Sequence, residues 1–255
     1  MKPKVLILRT AGTNCDKETE SAFSLAGAQT YLYHVNHVKE KNDIKSYQII
    51  ALPGGFSYGD DLGAGKILSL ELLLWFKDQL QEFISRGGLI IGICNGFQVL
   101  VKTGILPELN FKQTVTLNSN DSGRFEDRWV YLKTENQDSK IKNIWLKGFP
   151  EIINLPVAHG EGKFYTESDI LDKIEERGQV VLRYADSRGK SAGYPFNPNG
   201  SLNDIAGITD VTGKVLGLMP HPERFMFKHQ WPHWREKEVF PFGIKFFENS
   251  VNYFK

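Results

Sequence analysis

The 255-residue sequence is poor in cysteine, with Cys15 and Cys94 its only two. Two thiols make no disulfide framework, and no C-x-x-C spacing offers a zinc site. The apolar run at the start, Val5–Leu8 behind Met1-Lys2-Pro3-Lys4, is too short for the hydrophobic region of a signal peptide or for a membrane span. An excess of either charge is also lacking. The 31 Lys and Arg against 30 Asp and Glu point to no nucleic acid, acidic membrane surface or polyanionic substrate. No Walker loop and no G-x-G-x-x-G element occurs, so no nucleotide cradle is expected. There is no internal repeat, low-complexity tract or linker either. These exclusions leave a reduced, cytoplasmic setting and a single domain over 1–255 with ample length for a core.

What the sequence does have is alternation. Val5–Leu8 is followed by a Gly/Thr/Asn turn and a helical pattern over Lys17–Leu25. Thr30–Val35 and Gln48–Leu52 read as strands, Pro53-Gly54-Gly55 breaks the chain, and Lys66–Ile84 gives a long amphipathic helix ended by Arg86-Gly87-Gly88. Leu89–Ile93 is the next strand and runs into a short helix. Strands alternating with helices make βαβ units, hence an α/β fold with a mostly parallel sheet and flanking helices. Ligands of such sheets sit beyond the carboxyl ends of the strands. The middle changes character. Thr114–Leu117 and Trp129–Thr134 read as strands joined by a polar loop around Asp121–Arg124, a small antiparallel extension. Ser168–Glu176 reads as a capped helix, Val180–Tyr184 and Val215–Met219 as strands, Asn197–Ser201 as a turn cluster and Gly243–Tyr253 as the last helix.

Cys94 stands between Gly92 and Gly96, straight after the run Leu89–Ile93. A cysteine beside an apolar strand is ordinarily packing. Set between glycines where a strand turns sharply into a helix, it reads as a nucleophile elbow with Cys in place of Ser. The helix N-terminus favours the thiolate. Such a nucleophile needs a base, and Met219-Pro220-His221-Pro222-Glu223-Arg224 supplies one at the end of another apolar strand. If that segment stays extended, His221 and Glu223 point to one side, and Glu223 orients His221 to take the proton of Cys94. A tetrahedral intermediate also needs donors, which the N–H of Asn95 and the Gly54-Gly55 loop can offer.

Pro53-Gly54-Gly55, Gly92-Ile93-Cys94-Asn95-Gly96 and Pro220-His221-Pro222-Glu223 together resemble the class I (triad) glutamine amidotransferases. That family has a flavodoxin-like doubly wound core and a Cys–His–Glu triad that hydrolyses glutamine to glutamate and ammonia. Five further segments narrow the resemblance: Gly12-Thr13-Asn14-Cys15-Asp16, Pro53–Asp60, Ala158-His159-Gly160-Glu161-Gly162, Asn197–Ser201 and Met219–Arg224. Across nearly the whole chain they are similar to the glutaminases of the phosphoribosylformylglycinamidine synthase family, in purine (IMP) biosynthesis. The resemblance implies L-glutamine as substrate, Cys94 as nucleophile, His221 as base, Glu223 as its orienter, and Gly55 and Asn95 as donors to the oxyanion of a thioester-forming reaction. It implies no metal and no cofactor in this chain. ATP and Mg²⁺ belong instead to a synthetase subunit that receives the ammonia, with a small third subunit as a further partner, and neither nucleic acid nor membrane is expected.

Other residues stay open. Gln98 joins Gly54, Gly55 and Asn95 among the candidate oxyanion- and substrate-binding residues. Arg124 either binds substrate or caps a turn. Cys15 is a structural residue or a second thiol near the site, with no His-x-Glu partner of its own in the sequence. His159 and Glu161 form a competing His-x-Glu pair in a glycine-flanked loop with no apolar strand directly before it, and read as site-adjacent or partner-facing. Asp61-Leu62-Gly63-Ala64-Gly65 and Ser122-Gly123-Arg124-Phe125 lean towards the glutaminase domain of large fused synthases, whereas Met1 directly before the first strand favours a separate subunit. Alternative functions are an amidotransferase subunit for another acceptor, a cysteine peptidase or hydrolase on the same core, and a non-catalytic binding subunit, against which the complete Cys–His–Glu set argues.

Overall fold

The computed structural model describes residues 2–135, 141, 143–236 and 238–255; Met1, on which the separate-subunit expectation leaned, lies outside them. The first half follows the expected alternation: β1 (Lys4–Arg9), α1 (Asp16–Leu25), β2 (Gln29–His34), α2 (Val35–Lys41), β3 (Ile49–Leu52), α3 (Lys66–Ser85), β4 (Leu89–Ile93) and α4 (Asn95–Lys102). The rest of the chain adds β5 (Val115–Ser119), β6 (Glu126–Thr134), β7 (Ile152–His159), β8 (Glu161–Thr166), α5 (Ser168–Glu176), β9 (Val180–Ala185), β10 (Ile205–Thr209), β11 (Val215–Leu218) and α6 (Gly243–Asn252).

Nine strands form one sheet in the order β2-β1-β3-β4-β11-β10-β9-β6-β7, while β5 and β8 pair separately. From β2 to β11 every pairing is parallel, and from β11 to β7 every pairing is antiparallel. The α/β architecture expected from the sequence is present, and its antiparallel part amounts to four strands in the main sheet plus the β5–β8 pair. Every residue of β3, β4 and β11 is buried, as strands covered on both faces require, and this is why they read as unbroken apolar runs. The long helix α3 turns Leu68, Leu72, Phe76 and Leu80 inward at helical spacing, and it packs against α4. On α6, Phe247 meets Phe23 of α1 edge to face, with centroids 4.9 Å apart. Burying each such ring contributes about 1.5–3 kcal/mol. One apolar cluster runs through both halves of the sheet. No helix among the described residues is long and apolar enough to cross a membrane.

Several elements depart from the sequence expectations. Val35 does not end a strand but opens α2, because the His34 side chain accepts the Asn36 N–H at 3.2 Å and caps a helix there. The helix α5 has no side-chain cap: Glu167 precedes it, and its carbonyl alone receives the Ile170 and Leu171 amides. The strands β7, β8 and β10 did not show as apolar runs. In β7 buried and half-buried residues alternate, and Pro156 interrupts the pattern. Proline is tolerated there because β7 is the edge of the sheet and pairs only with β6. The strands β5 and β6, read as joined by a polar loop with no helix between them, are so connected, and β5 pairs with β8 while β6 pairs with β7 and β9.

Strand order reverses at β1, so the carboxyl ends of β1 and β3 border the crevice where a doubly wound sheet places its ligand. The loops leaving those two strands meet there in a Thr13–Gly55 bridge.

Candidate active site

Cys94 follows β4 and caps α4 with φ 51° and ψ −104°. Positive φ at a non-glycine residue is a strained conformation that persists only where its surroundings impose it. Here they do. The Cys94 amide donates to Leu218 O at the end of β11 (2.8 Å), and its carbonyl accepts the Gln98 amide in the first turn of α4 (3.1 Å). The two glycines serve close packing: a Cβ on Gly96 would stand 1.9 Å from Leu52 O of β3, and one on Gly92 would stand 2.5 Å from Gly96 O. The Cys94 sulfur lies 3.7 Å from Ala158 O in β7.

His221 arrives from β11, the strand beside β4. Its amide donates to Pro156 O at 2.8 Å, so the edge strand β7 holds the histidine from the far side. The segment does not stay extended as expected; Pro222–Arg224 forms a 3₁₀ turn. That turn still brings His221 Nδ1 to 2.6 Å from Glu223 Oε1, with the side chains 2 % and 0 % exposed. With Nδ1–H donating to the carboxylate, Nε2 is the nitrogen left to carry the proton of Cys94, and it is buried without a hydrogen-bond partner. Burial by itself would push the imidazole down. The Glu223 carboxylate overrides it, assisted by Cys94 and Cys15, and the ring ends well above the ordinary histidine value. Cys94 is thus among the groups that act directly on the ring.

Gly54 and Gly55 follow β3. Gly54 gives its carbonyl to the Cys15 amide at 3.2 Å, and Phe56 gives its amide to Gly12 O at 3.0 Å. Between them the Gly55 amide donates to nothing among the described residues. The Asn95 amide, in the first turn of α4, likewise has no helical acceptor. The His221 ring lies directly on Gly54, where a Cβ would come 2.8 Å from Cε1.

Side chains behind these amides form a network that the sequence did not disclose. Asn95 accepts the Ser57 amide at 3.3 Å and donates to Asp60 and Gln98, each at 3.0 Å. Gln98 donates to Glu161 O at 2.5 Å, and the Glu161 carboxylate accepts the Ala64 amide at 3.3 Å. Gln98, expected among the oxyanion and substrate binders, is therefore engaged in clamping α4 to the β7–β8 turn. Asp60 belongs to a segment that the sequence singled out, but nothing in that segment marked it as the acceptor for both Asn95 and the Gly65 amide.

His159 and Glu161 are not in a free loop: they end β7 and begin β8. His159 is paired with Asn120 rather than Glu161, its Nδ1 lying 3.1 Å from Asn120 Oδ1. Burial, followed by the charge of His221, pushes its imidazole down to about 3. A ring that weakly basic does not compete for the base role near neutral pH. Arg124 is exposed, and its backbone is hydrogen-bonded to Asn120 Nδ2 and Ser122 Oγ; among the described residues no contact brings its side chain to Cys94 or His221. Cys15, by contrast, is drawn in, with its sulfur 3.9 Å from His221 Nδ1.

Cys15, His221 and Glu223 offer three potential metal ligands within 4.8 Å of one another. Their arrangement suits an ion pair better than a metal. The 2.6 Å separation of Nδ1 and Oε1 is shorter than the roughly 3.3 Å that bonds of about 2.0 Å impose in a zinc tetrahedron, and the Arg224 guanidinium occupies the sulfur.

Comparison with known proteins agrees with this geometry. A family model for the CobB/CobQ-like glutamine amidotransferase domain matches residues 2–254. A phosphoribosylformylglycinamidine synthase subunit PurQ of Dehalococcoides mccartyi is 47 % identical over 99 % of this chain and 98 % of its own. A PurQ subunit of Methanococcus maripaludis is 42 % identical over 100 % and 99 %. Among solved structures, a chain of PurLQS from Thermotoga maritima is 34 % identical, covers 100 % of both chains and superposes with a TM-score of 0.75. With matches of this length on both sequence and structure, the chain belongs to the CobB/CobQ-like glutamine amidotransferase family.

Proposed function

We infer that this chain is the glutaminase subunit of a phosphoribosylformylglycinamidine synthase. It hydrolyses L-glutamine to glutamate and ammonia and passes the ammonia to a synthetase subunit, which makes formylglycinamidine ribonucleotide in purine biosynthesis. The observation that carries the chemistry is the buried His221–Glu223 pair at 2.6 Å with Nε2 left unpartnered, at the end of the strand that pairs with the one leading to Cys94.

Cys94 attacks the carbon of the glutamine side-chain amide. His221 Nε2 takes the thiol proton and returns it to the departing nitrogen, so that the C–N bond breaks and ammonia leaves a thioester on Cys94. Water, deprotonated by the same nitrogen, then cleaves the thioester and releases glutamate. Glu223 stabilises the imidazolium formed in each half. The amides of Gly55 and Asn95 donate to the negative oxygen of both tetrahedral intermediates; removing one such donor costs about 10²–10³ in rate in comparable enzymes. Gln98, Glu161 and Asp60 hold the elements that carry those amides. ATP and Mg²⁺ serve the synthetase partner, a small third subunit completes the assembly, and the reaction runs in the cytoplasm as one domain of this chain.

The test is reconstitution with synthetase and small third subunits of the PurLQS type, ATP, Mg²⁺ and formylglycinamide ribonucleotide. Glutamate and the amidine should form in equal amounts. Glutamine-dependent amination of a different acceptor, or cleavage of peptide bonds by this chain, would contradict the reading.

A further inference from the structure

The triad accounts for one side of the His221 ring and leaves the other unexplained. Nδ1 is tethered to Glu223 at a single point, and the terminal torsion of a histidine is broad, so a ring held by one atom can pivot. Two groups close the remaining space: Gly54, packed directly on the ring, and the Cys15 sulfur 3.9 Å from Nδ1. That sulfur is itself fixed. Arg224 Nη2 donates to it at 3.1 Å, the Asn14 side chain lies 3.2 Å away, and the Cys15 amide donates to Gly54 O at 3.2 Å. Arg224 also donates its backbone N–H to His221 O at 3.2 Å. The contacts form a closed circuit from His221 to Arg224 to Cys15 to Gly54 and back to the ring.

We propose that Arg224 and Cys15 are a positioning pair for the catalytic base: the guanidinium holds the sulfur against the His221 ring, and the Cys15 backbone ties that ring to the Gly54-Gly55 loop. The pair links the group that moves the proton to the loop that carries one oxyanion amide, so base and oxyanion donor keep one geometry. Cys15 is not a second nucleophile. It faces Nδ1, the nitrogen already given to Glu223, and burial, opposed chiefly by His221, pushes its thiol up. A neutral sulfur beside the imidazole does not compete with Glu223 for the imidazolium.

The inference rests on the triad reading, and the experiment separates the two. Cys15→Ala, Cys15→Ser, Arg224→Gln and Cys94→Ala are each assayed in the reconstituted synthase with glutamine and, separately, with ammonia. In Cys15→Ala, Cys94 is the only cysteine left, so the pH dependence of its alkylation by iodoacetamide reports the Cys94–His221 pair alone. Misplacing a positioned group by about 1 Å can lower a rate by about 10²-fold. Cys15→Ala and Arg224→Gln should therefore lower glutamine-dependent kcat at least about tenfold with KM little changed. The ammonia-driven rate should stay intact, the alkylation profile should shift in pH, and Cys15→Ser should recover most of the loss. Unchanged kcat and an unchanged alkylation profile in Cys15→Ala would overturn the proposal. So would a parallel loss of glutamine-driven rate, ammonia-driven rate and thermal stability in all three variants at positions 15 and 224. Glutamine use surviving in Cys94→Ala would instead remove the triad reading beneath it.

Discussion

Two buried histidines of this chain are held in opposite states. Glu223 keeps His221 well above its ordinary value, whereas burial and then the charge of His221 push His159, paired with Asn120, down to about 3. Their contributions to stability have opposite signs. Between about 6.5 and 3, unfolded His159 binds a proton that the folded chain refuses, so stability falls as pH drops through that range, by up to about 1.4 kcal/mol per pH unit. His221 behaves in reverse: its contribution is complete below the ordinary histidine value and is lost as pH rises through its elevated folded value. Urea unfolding of His159→Gln between pH 7 and pH 5 should show a shallower acid loss of stability than the parent chain. An unchanged acid slope would mean that His159 is not the buried neutral ring described. At this scale the sequence was partly readable. Glycines around Cys94 and the two-residue spacing of His221 and Glu223 are local patterns, visible in a string. Cys15 and Arg224 meet across 209 positions, and no local pattern announces such a contact.

The elements place those residues through backbone contacts. The approach of α4 to β3 is set by Gly96, whose missing side chain admits Leu52 O. An alanine there has nowhere to go, because the obstacle is a backbone carbonyl of a fully buried strand. Gly96→Ala should lower stability by about 3 kcal/mol or more, read from urea unfolding. A loss below about 0.5 kcal/mol, the size of an ordinary surface change, would contradict this packing. The strands that carry the site, β3, β4 and β11, were legible because burial on both faces leaves only apolar residues. The strand β7 was not: it is an edge strand with an internal proline, which demotes a strand reading. Missing it concealed the carbonyls of Pro156 and Ala158, which hold the His221 amide and lie beside the Cys94 sulfur. It also made His159 look like a loop residue.

Across the whole molecule, the parallel half brings Cys94, the Gly54-Gly55 loop and His221 together from the carboxyl ends of β4, β3 and β11. The antiparallel half, through β7, backs them from the other side. The near-balance of 31 basic and 30 acidic residues fits a small zwitterionic substrate better than a polyanion. The loops read as leaning towards fused synthases occur here in a chain whose relatives are named as subunits and are matched over 98–99 % of their length. We propose that Cys94 is the nucleophile that frees ammonia from glutamine for use elsewhere in the synthase. It is tested most directly by comparing glutamine-driven with ammonia-driven amidine synthesis in the reconstituted complex carrying Cys94→Ala. The glutamine-driven rate should disappear while the ammonia-driven rate is kept; a substantial glutamine-driven rate in that variant would remove Cys94 from this role.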